Sequence, residues 1–315
     1  MRRFLTIVGI FAISAVCVMA QRPASAPAKN SAQVEPTDSR FVLDVFRVGL
    51  QFTVTDRKGR FVTNLTASDF EVIESRRPQK ILEFTAETDL PLRLAILIDT
   101  SNSVRDRFKF IQEAAVEFVN NLIRKGQDKG MLVSFDTATE LVADLSDDIP
   151  KLVKAIRALR PGGGTALYDA IYFSCRDKLI QDQPRHRFRR AMVILSDGED
   201  NQSRYTRNQA LEMAQKADVV IYTISTNITR VETDGDKVLK FFARETGGLA
   251  FFPFKVEDLA QSFENISNEL RHQYTLMYRP EPLIADGQWK PFEVRVKGRK
   301  DLVVRSRKGY YAPKI

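Results

Sequence analysis

The sequence is poor in the side chains that most hydrolytic and nucleotide-handling enzymes use. It has two histidines, His186 and His272, and neither lies close in sequence to the polar clusters described below. A Ser-His-Asp hydrolase needs a histidine beside its nucleophile, and the nucleophile-elbow pattern GxSxG is absent. The glycine run before Thr165 lacks the lysine of a phosphate-binding loop. These absences predict a protein that is not an enzyme.

Cysteine is equally scarce, and one of the two cysteines lies in a segment that resembles an export signal. Residues 1–20 carry two arginines, then the apolar run Phe4–Val16, then Val18-Met19-Ala20, which are small or tolerated residues before a cut ahead of Gln21. We therefore expect a secreted, periplasmic or cell-envelope protein without stable membrane insertion after cleavage. Lipid attachment at Cys17 and retention of the segment as an anchor are the alternatives. Cleavage would leave Cys175 alone, so no internal disulfide is expected.

Acidic residues are under-represented at the carboxyl end. The net charge is +8, and from Arg271 onward eleven Lys and Arg face four Asp and Glu. This excess indicates either a solvated basic β surface or a surface for an acidic partner or anionic envelope. Because no recognition motif accompanies the charge, nucleic acid is not an expected partner.

Residue periodicity divides the rest of the chain into four parts. Residues 21–39 are rich in Ala, Pro and Ser and predict a flexible linker. Residues 40–90 and 273–315 alternate apolar and polar side chains, as β-strands do. Residues 91–272 alternate strands with helices, which predicts an α/β, doubly wound Rossmann-like domain. We expect the two β segments to pack together as one β-sandwich with the α/β domain inserted; two separate β pieces are the alternative.

The predicted elements of the α/β domain follow from apolar spacing. Buried strands are predicted at Leu94–Ile98, Met131–Phe135, Leu141–Leu145, Ala191–Leu195 and Val219–Ile224. Helices are predicted at Phe108–Arg124, Ile149–Leu159, Ala166–Ile180, Thr206–Ala217, Lys237–Thr246 and Val256–Arg271.

Oxygen-bearing side chains follow two of these strands directly. Asp99, Ser101 and Ser103 come after the first strand at a spacing of two, and Asp197 follows the strand Ala191–Leu195. Ligand sites in such sheets lie beyond the carboxyl ends of the strands, where the strand order reverses. Carboxylates and hydroxyls suit Mg²⁺, whereas Zn²⁺ prefers nitrogen and sulfur.

These residues, with Thr165 after Gly162–Gly164, resemble the metal-ion-dependent adhesion site (MIDAS) of the von Willebrand factor type A (VWA) domain. That family uses DxSxS, a threonine in a glycine-rich loop and a later aspartate. The resemblance covers about Leu92–Arg271 and includes the stretches GGGTALYDAI, ILSDGEDN and ETGG. DFEVIES and RKGYYAP resemble flanking segments of bacterial secreted VWFA-related proteins.

The resemblance implies a metal site and a way of binding. It implies that Ser101, Ser103 and Thr165 contact Mg²⁺, or Mn²⁺ as a substitute, while Asp99 and Asp197 act directly or through water. A Glu or Asp of a protein partner would complete the coordination. The expected function is therefore secreted, adhesion-type protein binding. The alternative is an envelope structural or assembly factor that acts through its β segments and basic tail, with a purely structural metal site.

Two weaker patterns complete the sequence-based expectations. Asp136, Asp169, Glu199 and Asp200 are predicted either to strengthen the negative field near the ion or to serve helix starts and turns. The basic run from Arg185 to Arg190 predicts a solvated loop or an anion-docking segment.

Overall fold

The computed structural model describes residues 46–86, 90–182, 187–227, 229 and 231–314. The predicted signal at 1–20, the linker at 21–39, Cys17 and His186 lie outside the described residues. No helix within the described ranges combines the length and the apolar composition needed to cross a bilayer.

The described residues form fourteen strands and six α-helices. The strands are β1 (Val48–Asp56), β2 (Phe70–Glu74), β3 (Arg77–Gln79), β4 (Ile81–Thr85), β5 (Leu92–Asp99), β6 (Lys129–Phe135), β7 (Thr139–Ser146), β8 (Arg189–Ser196), β9 (Val219–Ser225), β10 (Ala250–Phe251), β11 (Tyr274–Tyr278), β12 (Trp289–Val296), β13 (Leu302–Ser306) and β14 (Gly309–Tyr311). The helices are α1 (Phe108–Leu122), α2 (Ile149–Ala158), α3 (Leu167–Phe173), α4 (Arg207–Lys216), α5 (Asp234–Thr246) and α6 (Val256–Arg271).

A six-stranded sheet in the order β10-β9-β8-β5-β6-β7 forms the centre of the α/β domain. Its strands pair in parallel except β7, which runs antiparallel to β6. Every residue of β5 and β8 is buried, because α1, α2 and α6 cover one face of the sheet and α3, α4 and α5 cover the other. The predicted doubly wound α/β fold is confirmed. The strand order reverses around β5 and β8, which places a switch point at their carboxyl ends.

Two four-stranded sheets, β13-β1-β11-β4 and β14-β12-β2-β3, combine strands from before and after the α/β domain. β1 pairs with β11 and β13, and β2 pairs with β12. Their inward side chains, among them Phe52, Phe70 and Tyr274, form one apolar core. The two flanking segments thus build a single β-sandwich, because neither has enough strands to bury its own apolar face.

Two helices differ from their predicted bounds by three residues or more. The helix predicted to reach Ile180 leaves α geometry after Phe173 and continues as a π turn, Ser174–Lys178. There the buried guanidinium of Arg190 donates to the Leu179 carbonyl oxygen at 2.7 Å. Helix α5 begins at Asp234, earlier than predicted, because Thr233 and Asp236 form a capping box across its first turn.

Two residues of the basic run Arg185–Arg190 differ from both of its predicted roles, while Arg185 and His186 lie outside the described residues. Arg189 and Arg190 are buried in β8 rather than exposed in a loop. Arg189 donates to the Leu90 carbonyl oxygen at 3.0 Å. For these two residues the predictions of a solvated loop and of an anion-docking segment are both wrong, since carbonyl groups of neighbouring segments bind their guanidinium groups.

Candidate functional site

Asp99 ends β5 with its side chain completely buried. Its Oδ1 accepts a hydrogen bond from the Ser101 amide at 2.8 Å, and its Oδ2 accepts one from Ser196 Oγ at 2.7 Å. The first bond closes a local turn of the kind that an aspartate forms with the backbone two residues later. The second bond joins the loops after β5 and β8, so it fixes the carboxylate at the switch point.

Ser101 and Ser103 bring two hydroxyls together beside this carboxylate. Their Oγ atoms lie 2.9 Å apart, with Ser101 buried and Ser103 exposed. Ser103 belongs to a 3₁₀ turn, Asn102–Arg107, that leads directly into α1. The turn brings the second hydroxyl back toward the first and leaves it facing solvent, where a ligand can reach it.

Thr165 lies in the glycine-rich loop, between the loop that follows β5 and the loop that follows β8. Its amide donates to Asn201 Oδ1 at 3.0 Å, and its carbonyl oxygen accepts from the Asn201 and Gln202 amides at 3.0 Å. On the other side, the Gly162 amide donates to the Thr100 carbonyl oxygen at 2.6 Å. These backbone bonds tie the glycine-rich loop to both neighbouring loops.

Asp197 directly follows β8 and is partly buried. Its Oδ1 accepts from the Glu199 amide at 3.1 Å. All five residues predicted as ligands therefore lie on three linked loops at one edge of the sheet. We call Asp99, Ser101, Ser103, Thr165 and Asp197 the oxygen site.

Among the residues that the structure describes, Asp99 has no positively charged partner. Burial raises the pKa of its carboxyl to about 6; hydrogen bonds from Ser101 and Ser196 oppose this rise, and the charge of Asp197 adds to it. Within the described ranges, no Lys, Arg or His forms an ion pair with Asp99. A buried carboxylate without a compensating cation fits a site that binds one.

The chemistry of the oxygen site fits a hard cation better than a soft one. The described part of the chain holds no group of three or more His, Cys, Asp and Glu side chains placed to bind a metal. The oxygen site instead offers two carboxylates and three hydroxyls. Such a set suits Mg²⁺, which accepts few protein carboxylates and keeps some of its water.

Two supporting residues were not among the predicted ligands. Ser196 bridges Asp99 Oδ2 and the Gly198 amide, which donates to its Oγ at 3.0 Å. Asn201 positions Thr165, as described above. The stretch ILSDGEDN contains both residues, but their contacts cross between loops far apart in sequence, so spacing alone could not reveal them.

The additional acidic residues serve the loops that surround the site. Asp169 Oδ1 accepts from the Arg204 and Tyr205 amides at 2.8 and 2.9 Å. Asp200 Oδ2 accepts from Ser203 Oγ at 2.6 Å and from the Tyr168 amide at 3.0 Å. Asp136 Oδ1 accepts from the Ala138 amide at 3.1 Å. These bonds favour the structural interpretation, whereas Glu199 is exposed.

Gly198 is the position where a methyl group should disturb the oxygen site most. It has φ of +81°, and an added Cβ would overlap the Gly235 carbonyl oxygen. We expect Gly198→Ala to lower the free energy of unfolding by more than ~2 kcal/mol, since the steric overlap adds to the backbone strain. Urea unfolding would measure the loss.

A matched control separates the two causes. Gly298 also has positive φ, +66°, but nothing lies within 4 Å of its added Cβ. Gly298→Ala should therefore cost only the conformational strain of about 1–2 kcal/mol. Equal losses in the two variants would contradict the close packing of Gly198 against α5.

Comparisons with known proteins identify the domain that carries the oxygen site. The family model of the von Willebrand factor type A domain matches residues 94–269. The human von Willebrand factor A domain-containing protein 3B is 27% identical over 169 residues, which are 52% of this chain and 12% of that protein. The match therefore spans only a small part of the curated relative.

Similar solved structures come from bacteria and from a mussel. The vWF domain of the type V pili tip protein Mfa5 from Porphyromonas gingivalis is 16% identical with a TM-score of 0.49, covering 58% of this chain and 96% of that one. An aerotolerance-related membrane protein from Bacteroides fragilis has 16% identity and a TM-score of 0.45, covering 56% and 98%. Proximal thread matrix protein 1 from the mussel byssus, with a zinc-occupied MIDAS motif, has 18% identity and a TM-score of 0.49, covering 61% and 48%.

The match at residues 94–269 covers more than half of the chain and includes all five residues of the oxygen site. The chain therefore belongs to the von Willebrand factor type A domain family.

Proposed function

We propose that this protein is an exported binding module, without enzymatic activity, that captures a carboxylate of a protein partner through a divalent cation at the oxygen site. The observation that carries the proposal is the Asp99 carboxylate, completely buried at the switch point without an ion-pair partner in the described ranges. A bound cation would supply the missing positive charge. Magnesium is the proposed ion, and manganese is its substitute.

The hydroxyls of the oxygen site support the proposed capture of an external carboxylate. Ser101, Ser103 and Thr165 would bind the ion as neutral ligands, and Asp197 would bind it directly or through water. Neutral ligands offset less of the ion's charge than carboxylates do, so the ion would retain attraction for a Glu or Asp of a partner. Ser103 is exposed, which leaves this side of the site open to such a side chain.

The position of His272 supports the proposed lack of catalysis. Its ring stacks on Phe61 at 5.0 Å between centroids, and its Nδ1 lies 2.7 Å from the Asn268 carbonyl oxygen. It follows α6, outside the three loops of the oxygen site. A hydrolase that used the Ser101 or Ser103 hydroxyl would need a base within hydrogen-bond reach of it.

The basic C-terminal segment gives limited support to the alternative function, an envelope structural or assembly factor that acts through its β segments and basic tail. Strands β11–β14 place this segment in the sandwich. Several of its cations already have acidic neighbours, as in the pairs Arg295–Glu293, Arg299–Asp301 and Lys290–Asp286. Because the segment has eleven Lys and Arg against four Asp and Glu, these pairs leave its net excess of positive charge in place, and that excess supports an acidic or anionic partner surface. Export is proposed from the sequence of residues 1–20 alone.

Isothermal titration of Mg²⁺ and of Mn²⁺ into the purified chain tests the proposal. We expect one binding event per chain, and retention of a carboxylate-bearing partner on the immobilised protein in Mg²⁺ but not in EDTA. Partner retention that persists in EDTA would overturn metal-dependent capture.

The pKa of Asp99 predicts how Mg²⁺ affinity depends on pH. Because the pKa is raised from 3.8 to about 6 in the metal-free chain, protons compete with the ion below that pH. We expect affinity to be roughly constant above pH ~7 and to fall about tenfold between pH ~6 and ~5. The same shift means that the metal-free chain loses stability as pH rises from about 4 to 6. Titrations across this range that show no change in affinity would contradict the assignment of Asp99.

A further inference from the structure

A second concave site lies on the β10 side of the central sheet, where the α/β domain meets the sandwich. It is a cavity of about 780 Å³ lined by parts of α4, α5, β13 and the residues around β10. β10 is an edge strand of the central sheet, and β13 is an edge strand of one sandwich sheet. We call this cavity the edge groove.

The edge groove follows the side of β13 rather than one of its faces. Four consecutive residues, Val303 to Ser306, line it. Successive side chains of a strand point to opposite faces, so a cavity that touches four in a row runs along the strand edge. Among the described residues, β13 pairs with β1 alone. Gly247 packs against the backbone of Ser306 and Arg307, so the part of the edge that can bind a further strand is Leu302–Arg305.

The charge of the edge groove has one sign. Of the described residues that line it, none is Asp or Glu and six are cationic: Arg207, Lys237, Lys240, Arg244, Arg305 and Lys308. Three of them form exposed pairs, Lys237–Asp234, Lys240–Glu232 and Arg244–Glu245, which contribute little and exchange readily. A fourth, Arg305, faces the buried Glu269, so Arg207 and Lys308 are the groove cations without an ion pair among the described residues. Arg305 Nη1 has no hydrogen-bond partner within the described ranges and lies 3.6 Å from Glu269 Oε2.

Apolar surface lies between these charges. Phe241 and Phe252 line the groove beneath cations, with the Arg207 guanidinium 4.5 Å from the first ring and Lys240 Nζ 4.7 Å from the second. Val303 is 52% exposed at the strand edge. Val303 and the two aromatic rings therefore offer apolar contacts between the cations of the groove.

We propose that the edge groove binds an extended acidic peptide of a protein partner as an added strand along β13. The peptide backbone would pair with β13, its apolar side chains would contact Val303 and Phe241, and its carboxylates would meet the surrounding cations. Strand addition of this kind obtains affinity from backbone hydrogen bonds and specificity from alternate side chains. The site is separate from the oxygen site and needs no metal ion.

The proposal is tested by fluorescence anisotropy on the whole chain in EDTA. The probe is a labelled seven-residue peptide in which glutamate and valine alternate. We expect saturable binding that weakens at least tenfold in the variant Lys240→Glu/Lys308→Glu. The matched control, Lys154→Glu/Lys300→Glu, makes the same charge change at exposed lysines outside the groove and should bind as the parent does. A peptide N-methylated at alternate residues should bind at least tenfold more weakly, because it cannot donate strand hydrogen bonds.

Three results would overturn the proposal: no binding of the acidic peptide, equal weakening in the groove and control variants, or binding that N-methylation of the peptide does not weaken. Thermal melting of each variant excludes a folding defect as the cause of lost binding. Stronger binding of anionic vesicles or single-stranded DNA, lost in the groove variant, would reassign the groove to another anion. Asp99→Asn should leave peptide binding unchanged, so failure here and failure of the metal site are distinguishable.

Discussion

Asp99→Asn is expected to abolish Mg²⁺ binding and, at the same time, to stabilise the metal-free protein. The asparagine can keep both hydrogen bonds of the native side chain, since its oxygen can accept from the Ser101 amide and its amide group can donate to Ser196 Oγ. It removes a buried carboxylate whose pKa is raised from 3.8 to about 6. At neutral pH that shift corresponds to about 3 kcal/mol, which bounds the gain in stability.

Thermal melting with and without Mg²⁺ measures both effects. The parent chain should melt higher in Mg²⁺ because the ion binds the folded state, whereas the variant should melt at one temperature in either buffer. Asp106→Asn is the control, because Asp106 is an exposed acid in the 3₁₀ turn beside the site. A variant that still gains stability from Mg²⁺ would show that Asp99 does not hold the ion.

Tyr274→Ala is expected to produce the largest loss of stability among core substitutions in the sandwich. Tyr274 is 1% exposed and stacks with Phe52 and Phe84 at 5.6 Å between centroids. Its hydroxyl donates to the Val62 carbonyl oxygen at 2.8 Å and accepts from the Leu65 amide at 3.1 Å. Removal of such a ring costs about 3–5 kcal/mol.

Tyr274→Phe separates packing from hydrogen bonding. It retains the ring and loses the hydroxyl, so it should cost about 1–2 kcal/mol. Urea denaturation of the three proteins would rank them as parent, phenylalanine and alanine. A cost for Tyr274→Ala below that of Tyr274→Phe would contradict the packing described here. Because the ring joins strands from both flanking segments, loss of stability should also expose β1–β4 to proteolysis.

Local sequence predicted secondary structure best where an element is completely buried or where its apolar residues follow a regular spacing. The continuous apolar runs Leu94–Ile98 and Ala191–Leu195 predicted two central strands. Both strands are fully buried, because helices cover both faces of the sheet. The bounds of α6 match their prediction. Sequence failed at the end of α3, where the chain continues as a π turn and the Leu179 carbonyl oxygen beyond it accepts from Arg190, a residue of a distant strand.

The sequence by itself determined the α/β domain, its family and the five oxygen donors of the candidate site. These features follow from short-range patterns: apolar runs, helical spacing and the order of Asp99, Ser101, Ser103, Thr165 and Asp197. The tertiary structure alone decided that Ser196 holds Asp99, which strands of the two flanking segments pair in each sandwich sheet, and that β10 and β13 leave their edges beside one cavity. The physical reason is that hydrogen bonds and strand pairing between distant segments depend on how the chain returns on itself, which residue spacing does not encode.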